Sequence, residues 1–155
     1  MTLKLSILVT IFSVALFSCK SAKQNTSYEI SYPHETECIT TEMDGTEIVK
    51  AWANGELGSA GIEAAKKNAI SDVLFKGVIR GKSNCEKMAV VNEVNARKKY
   101  EDYFNRFFSE DGTYKKFVDV KDSQTKNFTN STGVILVIKR SDLVAKLKKD
   151  KILNY

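Results

Sequence analysis

The sequence predicts a single α+β domain, built on an antiparallel three- to four-stranded sheet with helices packed mainly on one face. Three observations lead there. The chain has 155 residues, enough for one ordinary core and few for two. It is 43% hydrophobic and 28% charged, a globular balance that excludes a collagenous, disordered or multi-span chain. Its apolar spacing then switches between periods, in the order strand, helix, helix, strand, strand, helix.

Nearest the N-terminus of the domain, Tyr28, Ile30 and Tyr32 alternate, an edge-strand pattern in which Pro33 is tolerated. Asp44-Gly45 is a turn signal, and Thr46 to Leu57 reads as a strand with partial alternation. Gly55, Gly58 and Gly61 punctuate the next turn. Ser59 is the candidate N-cap of a helix running to about Arg80, with Glu63 in its first turn and Gly77 and Gly81 at its end. Ile62, Ala65, Ala69 and Val73 give it helical periodicity, and its alanines suit close packing on a sheet. Met88 to Val94 is apolar and extended, of undetermined type. Asn95 to Ser109 is the second helix, with Tyr100, Tyr103, Phe104, Phe107 and Phe108 on one face. Asp111-Gly112 stops it. Thr113 to Val120 reads as a strand and Asp122 to Thr132 as a polar loop. Gly133 to Arg140 is the strongest strand. Its unbroken run Val134-Ile135-Leu136-Val137-Ile138 implies burial on both faces or a central position. Ser141 caps the last helix, with Asp142 in its first turn.

The first residues carry an address. After Lys4, Leu5 to Phe17 is apolar apart from Ser6, Thr10 and Ser13. As a helix this stretch covers about 20 Å, short of the roughly 30 Å hydrocarbon core. It is therefore a signal-peptide apolar region and not a membrane span. Its end, Leu16-Phe17-Ser18-Cys19, resembles the lipobox of bacterial lipoproteins. Phe17 is bulkier than the commonest residue there. The resemblance implies cleavage before Cys19, diacylglycerol on its thiol and acylation of the new amino group. Several acyl chains make such an attachment effectively permanent. The expected organisation is a signal peptide over 1–18, a polar tether over 19–37 and the α+β domain over 38–155. Eighteen flexible residues span about 24 Å, so the domain would stand a little off the membrane.

Phe17-Ser18-Cys19-Lys20 is similar to lipoproteins of the Bacteroidota. Lys20 rather than aspartate after the cysteine implies the outer membrane. The absence of acids before Glu29 implies its periplasmic face. With Cys19 lipidated, Cys38 and Cys85 remain. In an oxidising compartment they are a candidate disulfide, closing a loop of about 48 residues worth roughly 4 kcal/mol. The alternative is two free buried thiols. Neither belongs to a C-x-x-C pair, which disfavours thiol-redox chemistry.

Several chemical readings fail on spacing. Gly55-x-x-Gly58-x-x-Gly61 lies where a phosphate cradle would, but lacks the following Lys-Ser/Thr and the dinucleotide spacing. It reads as a turn needing positive φ. His34 and Cys38 are two ligands in an extended region, which make no metal site. The aromatic helix has the spacing of a core face more than that of a cofactor box. No Gly-x-Ser-x-Gly, Ser-x-x-Lys or His-Glu-x-x-His occurs. No catalytic residue, metal or cofactor is expected, and the chain is not read as an enzyme. The sequons Asn127-Phe128-Thr129 and Asn130-Ser131-Thr132 read as loop composition.

The formal net charge is +5. Losing Lys4 leaves +4 on the mature chain. Six basic residues and two acids lie between Lys139 and Lys151, so that segment holds the whole excess. Gln24 to Val49 holds six acids and no Lys or Arg. Lys146, Lys148 and Lys149 are candidate contacts for anionic headgroups or an acidic partner; a solvated helix face is the plainer alternative. An exported location removes nucleic acid as a natural partner.

From Cys38 to Arg140 the chain resembles a group of uncharacterised Bacteroidota outer-membrane lipoproteins. The likeness rests on Glu37-Cys38, Met43-Asp44-Gly45, Ala51-Trp52-Ala53-Asn54-Gly55 and Ala64-Ala65-Lys66-Lys67-Asn68-Ala69. It also rests on Asn92-Glu93-Val94-Asn95-Ala96-Arg97 and on Tyr100 to Val118. Some type VI secretion machines of that phylum contain a small lipoprotein in their envelope-spanning complex, with which size and anchoring agree. The expected role is a non-catalytic structural or accessory subunit of such an assembly, anchored through Cys19. The alternative is a small peptidoglycan- or glycan-binding module.

Overall fold

A computed structural model describes residues 35–82, 85, 88–126 and 131–154. Cys19, the Tyr28–Tyr32 alternation, His34 and residues 127–130 of the sequons lie outside them. The elements are β1 (Thr36–Thr41), β2 (Thr46–Asn54), α1 (Gly58–Ser71), β3 (Arg80–Gly81), α2 (Ala96–Lys99), α3 (Glu101–Phe107), β4 (Val118–Lys126), β5 (Ser131–Lys139) and α4 (Arg140–Lys149). A π-helical turn over Asp72–Lys76 prolongs α1, and a 3-10 turn over Thr113–Phe117 precedes β4.

The fold is α+β, as expected, but the sheet has five strands in the order β3-β1-β2-β5-β4. Four of them form an antiparallel run, while β3 pairs with β1 in parallel. The sequence reading undercounts the strands for two reasons. Arg80–Gly81 is too short to show any alternation. β1 begins at Thr36, so Thr36 and Glu37, expected in the tether, are its first two residues. β4 occupies what read as the end of one strand and the start of a polar loop, because its described side chains from Asp119 to Ser123 face solvent. The residues before it, read as strand, form the 3-10 turn and bury Tyr114 and Phe117.

β5 resolves its own ambiguity. It is central, flanked by β2 and β4. Val134, Leu136 and Ile138 are fully buried under the helices, while Ile135 and Val137 on the reverse face are partly covered. β2 alternates in the same way, with Glu47, Val49, Ala51 and Ala53 inward. The core between sheet and helices gathers these residues with Ala65, Ala69, Ile70, Val73 and Leu74 of the first helix and Leu143 and Leu147 of α4.

The helix boundaries differ from the sequence reading. α1 starts at Gly58 with Leu57 as N-cap and no side-chain cap, so Ser59 does not cap it. The π turn that prolongs it stops at Gly77, whose φ is 80°. Ser141 likewise lies inside α4, whose N-cap is Lys139. Its hydroxyl donates instead to the Asp44 carbonyl at 3.2 Å, tying the β1–β2 turn to the helix. The second helix breaks at Tyr100 (φ −111°, ψ 35°) into α2 and α3. Val90 and Val91 donate to the Val73 and Leu74 carbonyls, which fixes the segment whose type the sequence leaves undetermined.

Candidate functional site

Cys38 and Cys85 form a disulfide, with Sγ atoms 2.02 Å apart and Cα atoms 6.3 Å apart. Both cysteines are buried. The bond joins β1 to the segment after β3, beside the backbone bond from Lys82 N–H to the Cys38 carbonyl. A covalent and a hydrogen-bonded link thus hold a two-residue strand that could not persist by pairing alone.

The glycine cluster is a joint and not a cradle. Gly55 and Gly58 have φ of 78° and 63°, which only glycine adopts without strain. Gly61 is helical and answers to space: a Cβ there would come within 2.6 Å of the Glu56 carbonyl oxygen and 2.4 Å of the Thr132 hydroxyl. Thr132 itself donates to the Glu56 carbonyl at 2.9 Å. The start of α1 is therefore pressed against the start of β5.

The aromatic helix belongs to the core. Phe104, Phe107 and Phe108 are buried, and Phe104 meets Phe75 edge to face at 4.8 Å. Tyr103 turns its hydroxyl outward and donates to the Asp150 carboxylate at 2.6 Å. Burial, then that carboxylate, pushes the Tyr103 hydroxyl well above the ordinary phenol range. Asp150 also accepts from Lys146. Burial raises the Asp150 carboxyl, but the bonds from Lys146 and Tyr103 outweigh it and hold it below its ordinary value.

Lys146 is therefore part of an internal bridge between α3 and α4. Lys148 and Lys149 are exposed in the last turn, where cations suit the helix dipole. The structure splits the three candidate lysines into one structural residue and two surface ones.

Two further polar contacts escape the sequence reading. The buried Tyr114 donates to Glu63 at 2.8 Å, and Glu63 also receives Lys66 at 2.6 Å. Burial raises the Glu63 carboxyl, but Lys66 and Tyr114 together hold it below its ordinary value. Glu47 is fully buried and meets Arg140 at 3.4 Å, while Arg140 also donates to the Met88 carbonyl at 2.6 Å. The signal for this pair is present in the sequence: Glu47 occupies an inward position of an alternating strand, where a charge requires a partner.

Open hollows mark the described surface. One of about 410 Å³ runs along α2 and α3 past Lys98, Tyr100, Asp102, Tyr103 and Arg106. Another of about 300 Å³ lies between α1 and the 3-10 turn, beside Glu63, Lys67 and Lys115. A third, about 320 Å³, lies between Val91–Glu93 and Ile152–Asn154. Among the described residues no group of three His, Cys, Asp or Glu is placed to hold a metal, and no helix is long and apolar enough to cross a membrane.

The reverse face of the sheet is a further candidate surface. It carries Ile48, Trp52, Ile135 and Val137, each partly covered, with Glu37, Lys50, Asp119 and Lys139 around them. Lys50 lies over the Trp52 ring at 4.7 Å. Lys139 pairs with Asp119 at 2.8 Å. The Trp52 ring lies against Gly133 on the neighbouring strand, where a Cβ would come within 2.4 Å of it. What this face offers chemically is apolar contact bordered by charges, the composition of a docking surface. No family model, no curated protein and no solved structure matches this chain.

Proposed function

We propose that this chain is a lipid-anchored, non-catalytic accessory subunit of an envelope-spanning assembly, such as a secretion apparatus. It is held through Cys19 on the periplasmic face of the outer membrane. The observation that carries this reading is the short apolar run ending in Leu16-Phe17-Ser18-Cys19. The Cys38–Cys85 disulfide supports it, because such bonds persist in oxidising compartments outside the cytosol. The partly apolar sheet face supports the docking role.

Two measurements test it. Inhibition of lipoprotein signal peptidase accumulates a longer precursor; an unchanged size excludes lipidation at Cys19. Crosslinking in native membranes, followed by recovery of the chain, yields a stoichiometric partner; a solitary monomer overturns the accessory role. Lys148→Glu with Lys149→Glu weakens recovery in a salt-sensitive way if the α4 end is the contact. Lys146 is left intact in that variant, since its loss would break the bridge to Asp150.

The alternative is a peptidoglycan- or glycan-binding module. The hollow beside Tyr100, Tyr103, Asp102 and Arg106 favours it, since sugars take aromatic faces with polar neighbours. Cosedimentation with purified peptidoglycan separates the two readings.

A further inference from the structure

We propose that this chain associates head to tail with further copies of itself, the β1–β2 turn of one copy seating in the hollow beyond α4 of the next. The two surfaces lie at opposite ends of α4, whose ten residues span about 15 Å. At its N-terminal end the Ser141 hydroxyl donates to the Asp44 carbonyl, which places the turn there. At its C-terminal end Ile152, Leu153 and Asn154 line one side of the hollow of about 320 Å³, and Val91, Asn92 and Glu93 line the other.

The turn is a fixed projection. Gly45 N–H donates to the Glu42 carbonyl at 3.0 Å, and Glu42 N–H to the Thr46 carbonyl at 2.8 Å. Thr46 N–H adds a bond to the Asp44 carboxylate at 2.8 Å. These bonds leave Met43 at the tip with its side chain fully exposed. Glu42 and Asp44 flank it, and Asp142 is exposed nearby in the first turn of α4. The neighbouring cations are engaged within the molecule, Arg140 by Glu47 and the Met88 carbonyl and Lys139 by Asp119. This end is therefore apolar at its tip and acidic around it.

The hollow is its complement. Val91, Ile152 and Leu153 give it an apolar lining, and Val94, next along the chain from Glu93, is largely exposed. Lys148, Lys149 and Lys151 are exposed around the end of α4. The acids there already have partners: Asp150 accepts from Lys146 and Tyr103, and Glu93 meets Lys99 at 2.5 Å. Methionine is unbranched and flexible, which suits it to an irregular apolar hollow. Like charge keeps two turns or two hollows apart, while turn and hollow attract. The match therefore selects a second copy in a heterologous arrangement, which propagates until a ring closes or a filament forms. The contact does not depend on anchoring at Cys19, so its failure would leave that reading untouched.

The test uses the full chain in mild detergent and two variants at exposed positions, Met43→Asp and Val94→Asp. Sedimentation of the unmodified chain gives a mass that grows with concentration, and an ionic strength of about 1 M weakens this association roughly tenfold. Each variant alone sediments as a monomer with unchanged far-ultraviolet dichroism. Mixed in equal amounts, the two form a dimer and nothing larger, since one supplies the turn and the other the hollow. An unmodified chain that stays monomeric, a single variant that assembles as the unmodified chain does, or a mixture that stays monomeric overturns the proposal.

Discussion

Lys151 lies just beyond α4 with φ of 59°, a left-handed conformation that costs a side-chain-bearing residue about 1 kcal/mol. It is held there because Ile152 N–H returns to the Leu147 carbonyl at 2.9 Å and closes the helix end. Glycine is the usual residue at that position, so Lys151→Gly should stabilise the domain by about 0.5–1 kcal/mol. A raised urea midpoint at unchanged slope checks this. Nothing in composition or spacing marks the position, since lysine near a helix end reads as a dipole partner. The same limit explains the misplaced caps. Ser59 and Ser141 have the right chemistry, but each lies one residue inside its helix. There Ser141 serves the β1–β2 turn instead.

The contact between α3 and α4 shows what an element-scale pattern reveals and what it hides. The period that puts Phe104, Phe107 and Phe108 on one face is legible, because burial imposes it. The Tyr103–Asp150–Lys146 bridge is not, because its members come from two helices joined only by tertiary packing. β3 and most of β4 escape for related reasons: one is too short to alternate, and the other is exposed from Asp119 to Ser123. β4 carries Asp119, Lys121 and Asp122, with a register shift between Val120 and Asp122. Such charges and bulges blunt an edge strand against further pairing.

The bridge also makes a pH prediction. Asp150 lies below its ordinary value in the folded state. Its contribution is therefore present above about pH 4 and is lost as pH falls through the lowered value. Asp150→Asn should cost about 1 kcal/mol near pH 7, with the gap to the unmodified protein closing in strong acid. Denaturant unfolding across that range tests it; a constant gap would assign the loss to packing alone.

At the scale of the whole molecule, the class of the fold and its central strand are legible, since the Val134–Ile138 run could only be a core strand. The sheet order is not, because it depends on pairings between distant segments. The disulfide is one such tie, across a separation of 47 residues. Replacing both partners, Cys38→Ala with Cys85→Ala, should cost roughly 3–4 kcal/mol by the loop-entropy argument. A loss much below that, by the same unfolding measurement, would mean that β3 and its flanks hold without the bond.

The central pair of the sheet joins β2 to β5, two strands roughly eighty residues apart along the chain. Much of the buried core face therefore stays unmade until the last strand has been synthesised. A nascent chain displays Val49, Ala51 and Ala53 with no β5 to cover them throughout most of its elongation. Such a topology folds late and slowly. It gives a long interval in which the polypeptide is still threadable through a translocation channel, and in which a holdase chaperone has an apolar strand to grip.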